Sequence, residues 1–139
     1  MVIYLDSSAL VKLVLPERET SALLDAIDDA ELLISSIVAA VEVPRAARRL
    51  ADRHGVVGKR AEEVIDSVEL LWLDTAIVSA ASRLSPVHLR SLDAVHLASG
   101  LSLGGNLTSF VAYDRRLLEA AREHALPVLT PGLEDASRS

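Results

Sequence analysis

The chain has 139 residues, 50% of them hydrophobic and 24% charged, with a net charge of −6 and no cysteine. That length fits one domain with a substantial core. The composition excludes disulfides, thiolate metal sites, a membrane-length apolar run and a grip on nucleic acid through bulk positive charge.

The first predicted strand is Val2-Ile3-Tyr4-Leu5, an apolar run of the kind buried on both faces. Asp6 stands where it ends, and Ser7-Ser8 open a helix with Leu10, Val11, Leu13 and Val14 inward. Pro16 breaks that pattern, and a second helix is expected over Thr20 to Ala30. Leu32 to Ser35 reads as a second strand. Ser36 then caps a helix reaching His54, in which Pro44 should force a kink or restart. Gly55 and Gly58 mark a turn before a helix built on Ala61, Val64, Ile65 and Val68, and Glu69 to Leu73 reads as the third strand. Asp74-Thr75 cap a helix from Ala76 to Leu84, and Ser91 caps another from Leu92 to about Leu103, closed by Gly104 and Gly105. Ser109 to Ala112 is the fourth strand, Arg115 to His124 a helix, and Pro127 to Leu129 a brief last strand.

Strands alternate with helices throughout, which argues for an α/β fold with a mainly parallel central sheet between helical layers. Residues 1–131 form the expected single domain, and 132–139 lack periodicity and read as a frayed tail. No signal peptide is expected, because Asp6 and Lys12 interrupt any apolar leader, and the expected setting is cytoplasmic, with no membrane partner.

Four acids stand apart from the solvated ones. Asp6 and Asp114 each follow a strand, Glu42 lies between Val41 and Val43 on a helix, and Asp93 sits in a first helical turn amid Leu92, Ala94 and Val95. Each Asp also has a plain structural reading as a helix cap or a partner of the helix dipole. Against that, open parallel sheets place their sites at the carboxyl ends of strands, and ionised carboxylates in apolar surroundings need partners. For Glu42, Arg45 at i+3 offers an ordinary surface pair. If the four converge, their hard oxygens call for Mg²⁺ or Mn²⁺ rather than zinc. Such ions activate water against a phosphodiester without any obligatory histidine.

With these residues in view, the chain resembles PIN-domain proteins, most closely the VapC-type toxins of bacterial toxin–antitoxin pairs. The resemblance rests on Tyr4 to Leu10, Val41 to Ala46, Leu89 to Ala98 and Val111 to Leu117, in order along nearly the whole chain. It implies a three-layer α/β/α sandwich, Mg²⁺-dependent endoribonuclease activity (with Mn²⁺ a possible substitute), homodimerisation, and inhibition by a VapB-like antitoxin. The family's four acids, catalytic and metal-binding, fall on Asp6, Glu42, Asp93 and Asp114, with the metal held most directly through Asp6 and Asp93. One position departs from the pattern: Ala112 stands where a Ser or Thr often precedes the last acid. Two other readings of the fold are a non-catalytic protein-binding module and a PIN nuclease that processes RNA without an antitoxin.

Ser8 matches a small polar position beside the metal, either orienting a water or serving as a plain helix residue. His96, on an apolar helix, reads as a packed core residue that the chemistry does not need. Arg45, Arg48, Arg49 and Arg53 form the densest basic run, and Arg45 with Arg49 share a helix face. That face is either solvated or a ridge that contacts RNA phosphates beside Glu42.

Overall fold

The computed structural model describes residues 1–51 and 55–133. Five strands are present among them: β1 (Val2–Leu5), β2 (Leu32–Ser36), β3 (Glu69–Leu71), β4 (Ser109–Val111) and β5 (Val128–Leu129). The helices are α1 (Ser7–Val14), α2 (Thr20–Ile27), α3 (Ala39–Ala51), α4 (Gly55–Asp66), α5 (Thr75–Arg83), α6 (Ser91–Ser102) and α7 (Arg115–Glu123). All strands pair in parallel, in the order β3-β2-β1-β4-β5. The chain lays down β1, β2 and β3 in one direction, then crosses to the other side of β1 for β4 and β5. That reversal between β1 and β4 opens a crevice at the strands' carboxyl ends.

β1 is the axis of the molecule. Tyr4 pairs with Ile34 on one side and with Phe110 on the other. Alternate residues of a strand face opposite sides of the sheet, and two cores follow from that. Ile3 and Leu5 pack with Ala9, Leu10 and Val14 of α1 and with Val43, Ala47 and Ala61 from α3 and α4. Tyr4, Ile34 and Phe110 pack on the opposite face with Leu97 of α6 and Leu117 and Ala121 of α7. Helical layers on both faces of a parallel sheet make the three-layer α/β/α sandwich that the resemblance implied.

Gly100 sets how closely α6 approaches the sheet. A Cβ there would stand 2.7 Å from the Phe110 ring, so only glycine admits the contact without a shift. Phe110 in turn stacks on Tyr4, with ring centroids 5.1 Å apart and planes 2° from parallel.

Several expectations need correction. β3 stops at Leu71, whose carbonyl accepts from Ile37 N at 2.9 Å, and Trp72 and Leu73 are exposed beyond it. α4 begins at Gly55 and runs through Gly58. The intrinsic cost of glycine in a helix, about 1 kcal/mol, is outweighed there by packing of Val57, Ala61, Val64 and Ile65 on the core. α2 ends at Ile27, short of Ala30. α3 starts at Ala39 after a turn in which Ser36 Oγ accepts from Val38 N at 3.2 Å, and it continues through Pro44 without a restart. Asp74 caps α5 as expected, accepting from Ile77 N at 2.8 Å. α6 is preceded by Arg90 with no side-chain cap, so Ser91 is its first helical residue, and Gly104 and Gly105 belong to a separate 3-10 turn. At the C-terminal end Leu133 N donates to Thr130 O at 2.9 Å, so Gly132 and Leu133 form a turn. Residues 134–139 of the expected tail lie outside the described residues, as do Arg53 of the basic run and His54 of the expected helix.

Candidate active site

Asp6 prolongs the ladder between β1 and β4, donating its N–H to Val111 O at 3.1 Å. The chain then turns into α1, with Asp6 extended at φ −76° and ψ 179° as the cap residue. Oδ1 accepts from Ala9 N at 2.9 Å and from Ser8 Oγ at 2.7 Å. Among the described residues no hydrogen bond falls on Oδ2. Asp6 is 3% exposed, and burial pushes its carboxyl up to about 6, against the lowering effects of His96, Ser8 and Ala9. The cap thus uses one oxygen only.

Ser8 Oγ also accepts from Tyr113 N at 2.9 Å, which ties α1 to the segment after β4. Its hydroxyl therefore donates and accepts within the protein, clamping Asp6 beside the last acid. Asp114, exposed at the head of α7, accepts from Leu117 N through Oδ2 at 3.0 Å. Ala112 is buried in the core.

Glu42 lies in the first turn of α3 and reaches back across the crevice. Its Oε1 accepts from Ser7 Oγ at 2.6 Å and from His96 Nε2 at 2.8 Å. Burial alone would raise its pKa, but the hydrogen bonds from His96 and Ser7 and the charge of His96 outweigh that and hold it below the usual range. The surface pair with Arg45, the plain alternative for this acid, does not form among the described residues. Asp93, half-buried in the first turn of α6, has no hydrogen-bond partner among them. Burial raises its pKa first and the charge of Asp114 second, with Glu42 adding to both, while His96 and Arg90 pull the other way.

The four acids thus share one electrostatic environment: Asp6 feels Asp93, and Asp93 feels Asp114 and Glu42. Among the described residues, however, no three acidic or histidine side chains already stand together as a finished coordination sphere. The donor set fits a hard divalent cation nonetheless. Every candidate ligand is a carboxylate, a hard oxygen donor of the kind such cations take, and Asp6 and Asp93 are carboxyls whose pKa burial raises.

His96 needs the largest revision. It is buried in the core, as expected, but both ring nitrogens are engaged, Nδ1 with Tyr4 Oη at 2.7 Å and Nε2 with Glu42. Tyr4 and Ser7, which the sequence reading did not single out, and His96, which it took for a packed core residue, all join the hydrogen-bond network of Glu42. The available signal was Glu42 itself, an acid between valines that required a partner. Beside it, Arg45 and Arg49 flank a cleft of about 360 Å³ floored by Val11, Val41, Ala46 and Leu92.

Comparison with known proteins agrees with this architecture. Residues 3–123 match the PIN domain family. The chain is 36% identical to ribonuclease VapC47 of Mycobacterium tuberculosis (strain CDC 1551 / Oshkosh) over 136 residues, covering 94% of this chain and 97% of that protein. It is 40% identical to ribonuclease VapC35 of the same strain over 134 residues, with the same coverage. In fold it is similar to a chain of the VapBC2 complex of Rickettsia felis bound to a promoter DNA fragment. There the TM-score is 0.64 at 10% identity, covering 94% of this chain and 99% of that one. On the match over residues 3–123 and these identities, the chain belongs to the PIN domain family as a VapC-type member.

Proposed function

We propose that the chain is a Mg²⁺-dependent endoribonuclease, the toxin of a toxin–antitoxin pair, with Mn²⁺ able to replace Mg²⁺. The observation that supports this reading is electrostatic: Asp93 acts on Asp6, Asp114 and Glu42 act on Asp93, and Asp6 and Asp93 are both held above their ordinary pKa, by burial first. The names of its ribonuclease relatives support the reaction class.

Asp6 and Asp93 are the first ligands, and Glu42 and Asp114 complete the acidic ring. A bound divalent ion supplies a more acidic water and stabilises charge on the phosphate. The protein's own part is placement. The cap bonds fix Asp6, Ser7 and His96 fix Glu42, and the Ser8 clamp holds the β1 and β4 ends together. Arg45 and Arg49, exposed beside Glu42, offer guanidinium groups to the phosphates of a bound strand. A VapB-like antitoxin, a homodimeric assembly and a cytoplasmic setting belong to the same reading. No described helix is long and apolar enough to cross a membrane.

The direct test is hydrolysis of RNA by protein freed of contaminating ribonuclease. Cleavage should stop in excess chelator and return with Mg²⁺ or Mn²⁺. Ca²⁺ should restore it poorly, because its longer and looser coordination positions water less strictly. Undiminished cleavage in chelator rejects the reading.

A further inference from the structure

A chain of contacts runs from the sheet core to the acidic crevice. Phe110 stacks flat on Tyr4 and fixes the direction of its phenol. Tyr4 Oη lies 2.7 Å from His96 Nδ1, and the two rings meet edge to face at 76°. His96 Nε2 lies 2.8 Å from Glu42 Oε1, the oxygen that Ser7 Oγ also reaches at 2.6 Å. Ser7 Oγ and His96 Nε2 are themselves 3.1 Å apart. The partners assign the hydrogens. An ionised carboxylate only accepts, so Nε2 carries a proton whether or not the ring is charged; in the neutral ring Nδ1 is left to accept from the Tyr4 hydroxyl.

We propose that Tyr4 and His96 are positioning residues which, with Ser7, hold Glu42 so that Oε1 is committed to the protein and Oε2 is left for the metal. This rests on the nuclease reading above. A leucine at position 96 would fill the same buried space with no polar group to satisfy. Instead the imidazole ends on an acid that has an exposed arginine, Arg45, only three residues away and makes no bond to it among the described residues. Glu42 is thus held from the core side, where its direction is fixed, rather than from the solvent side. Ligating carboxylates held by a second hydrogen-bonding layer typically lose about 10–100-fold in metal affinity or activity when that layer is removed.

The test uses the full chain and three variants, His96→Leu, His96→Gln and Tyr4→Phe. It reads kcat and KM on an RNA oligonucleotide, Mn²⁺ affinity by calorimetry, and thermal melting. His96→Leu should lower kcat by about tenfold or more and weaken Mn²⁺ binding to a similar degree, with KM little changed. His96→Gln should recover most of both, because its amide nitrogen lies as many bonds from the backbone as Nε2 and donates to the same oxygen. Tyr4→Phe should fall between them. Nitrogen-15 spectra of the wild-type ring should show the Nε2–H tautomer, with the Nε2 signal moving in Glu42→Gln. A folded His96→Leu that keeps wild-type kcat and Mn²⁺ affinity overturns the proposal, and so does a His96→Gln as impaired as the Leu variant. Should the Leu variant fail to fold, a Tyr4→Phe identical to wild type or an Nδ1–H tautomer decides against it. If wild type neither cleaves RNA nor binds Mn²⁺, the nuclease reading fails, and the ring spectra still judge the tether on their own.

Discussion

At the scale of single residues, Asp6 carries opposing demands. As a cap it is satisfied by Ala9 N and Ser8 Oγ, yet burial lifts its carboxyl from 3.8 to about 6. The folded pKa is raised, so the folded state holds the proton more tightly than the unfolded chain. Its stabilising contribution is complete below about pH 4 and is lost as pH rises through 6. Asp93 acts with the same sign, whereas Glu42, held low by His96 and Ser7, contributes stability above its ordinary pKa and loses it on acidification. The metal-free protein should therefore lose stability between about pH 4 and 7, and Asp6→Asn should flatten that loss while keeping the cap, since Asn caps about as well as Asp. Denaturant titrations of both proteins at several pH values, with chelator present, measure it. A wild-type profile no steeper than that of Asp6→Asn contradicts the account.

At the scale of elements, the contact between α6 and β4 governs both packing and the site, because the Phe110 ring beneath Gly100 is the one that orients Tyr4. Gly100→Ala gains about 1 kcal/mol of helix propensity and meets about 1–3 kcal/mol of overpacking against a fully buried ring. A net loss of about 1 kcal/mol is expected, read as a lower midpoint in denaturant unfolding; a more stable variant would show that the ring yields freely. The strand-then-acid-then-helix pattern made β1, β4 and their acids legible, since it is local and needs no partner. The errors fell where tertiary packing overrides a local signal. Gly55 and Gly58 read as a turn because nothing nearby in sequence reveals that Val57 and Val64 reach the core. Leu73 read as strand because its apolar character does not reveal that the ladder ends at Leu71. His96 was judged by its helical neighbours, while its partners Tyr4 and Glu42 lie 92 and 54 positions away.

For the whole molecule, a net charge of −6 leaves RNA binding to local features. Arg45 and Arg49 line a cleft together with Glu42. Replacing both by Ala should reduce the salt dependence of RNA binding by up to about two phosphate contacts. Stability should shift within about 0.5 kcal/mol, as is usual for surface substitutions. An unchanged salt slope would return these arginines to a solvated face.

The central claim is that the acids form one cation-binding site rather than a set of caps. The most direct measurement is the melting temperature with and without Mg²⁺ for wild type, Asp6→Asn and Asp93→Asn, alongside RNA cleavage. Like charges about 4 Å apart repel by up to about 4 kcal/mol at an effective dielectric near 20, so each neutralised variant should be at least as stable as wild type without metal. Each should also lose cleavage and most of the Mg²⁺-induced rise in melting temperature, because a ligand stabilises only the state that binds it. Variants that cleave RNA normally and keep the full Mg²⁺ shift would contradict the account and leave Asp6 a helix cap and nothing more.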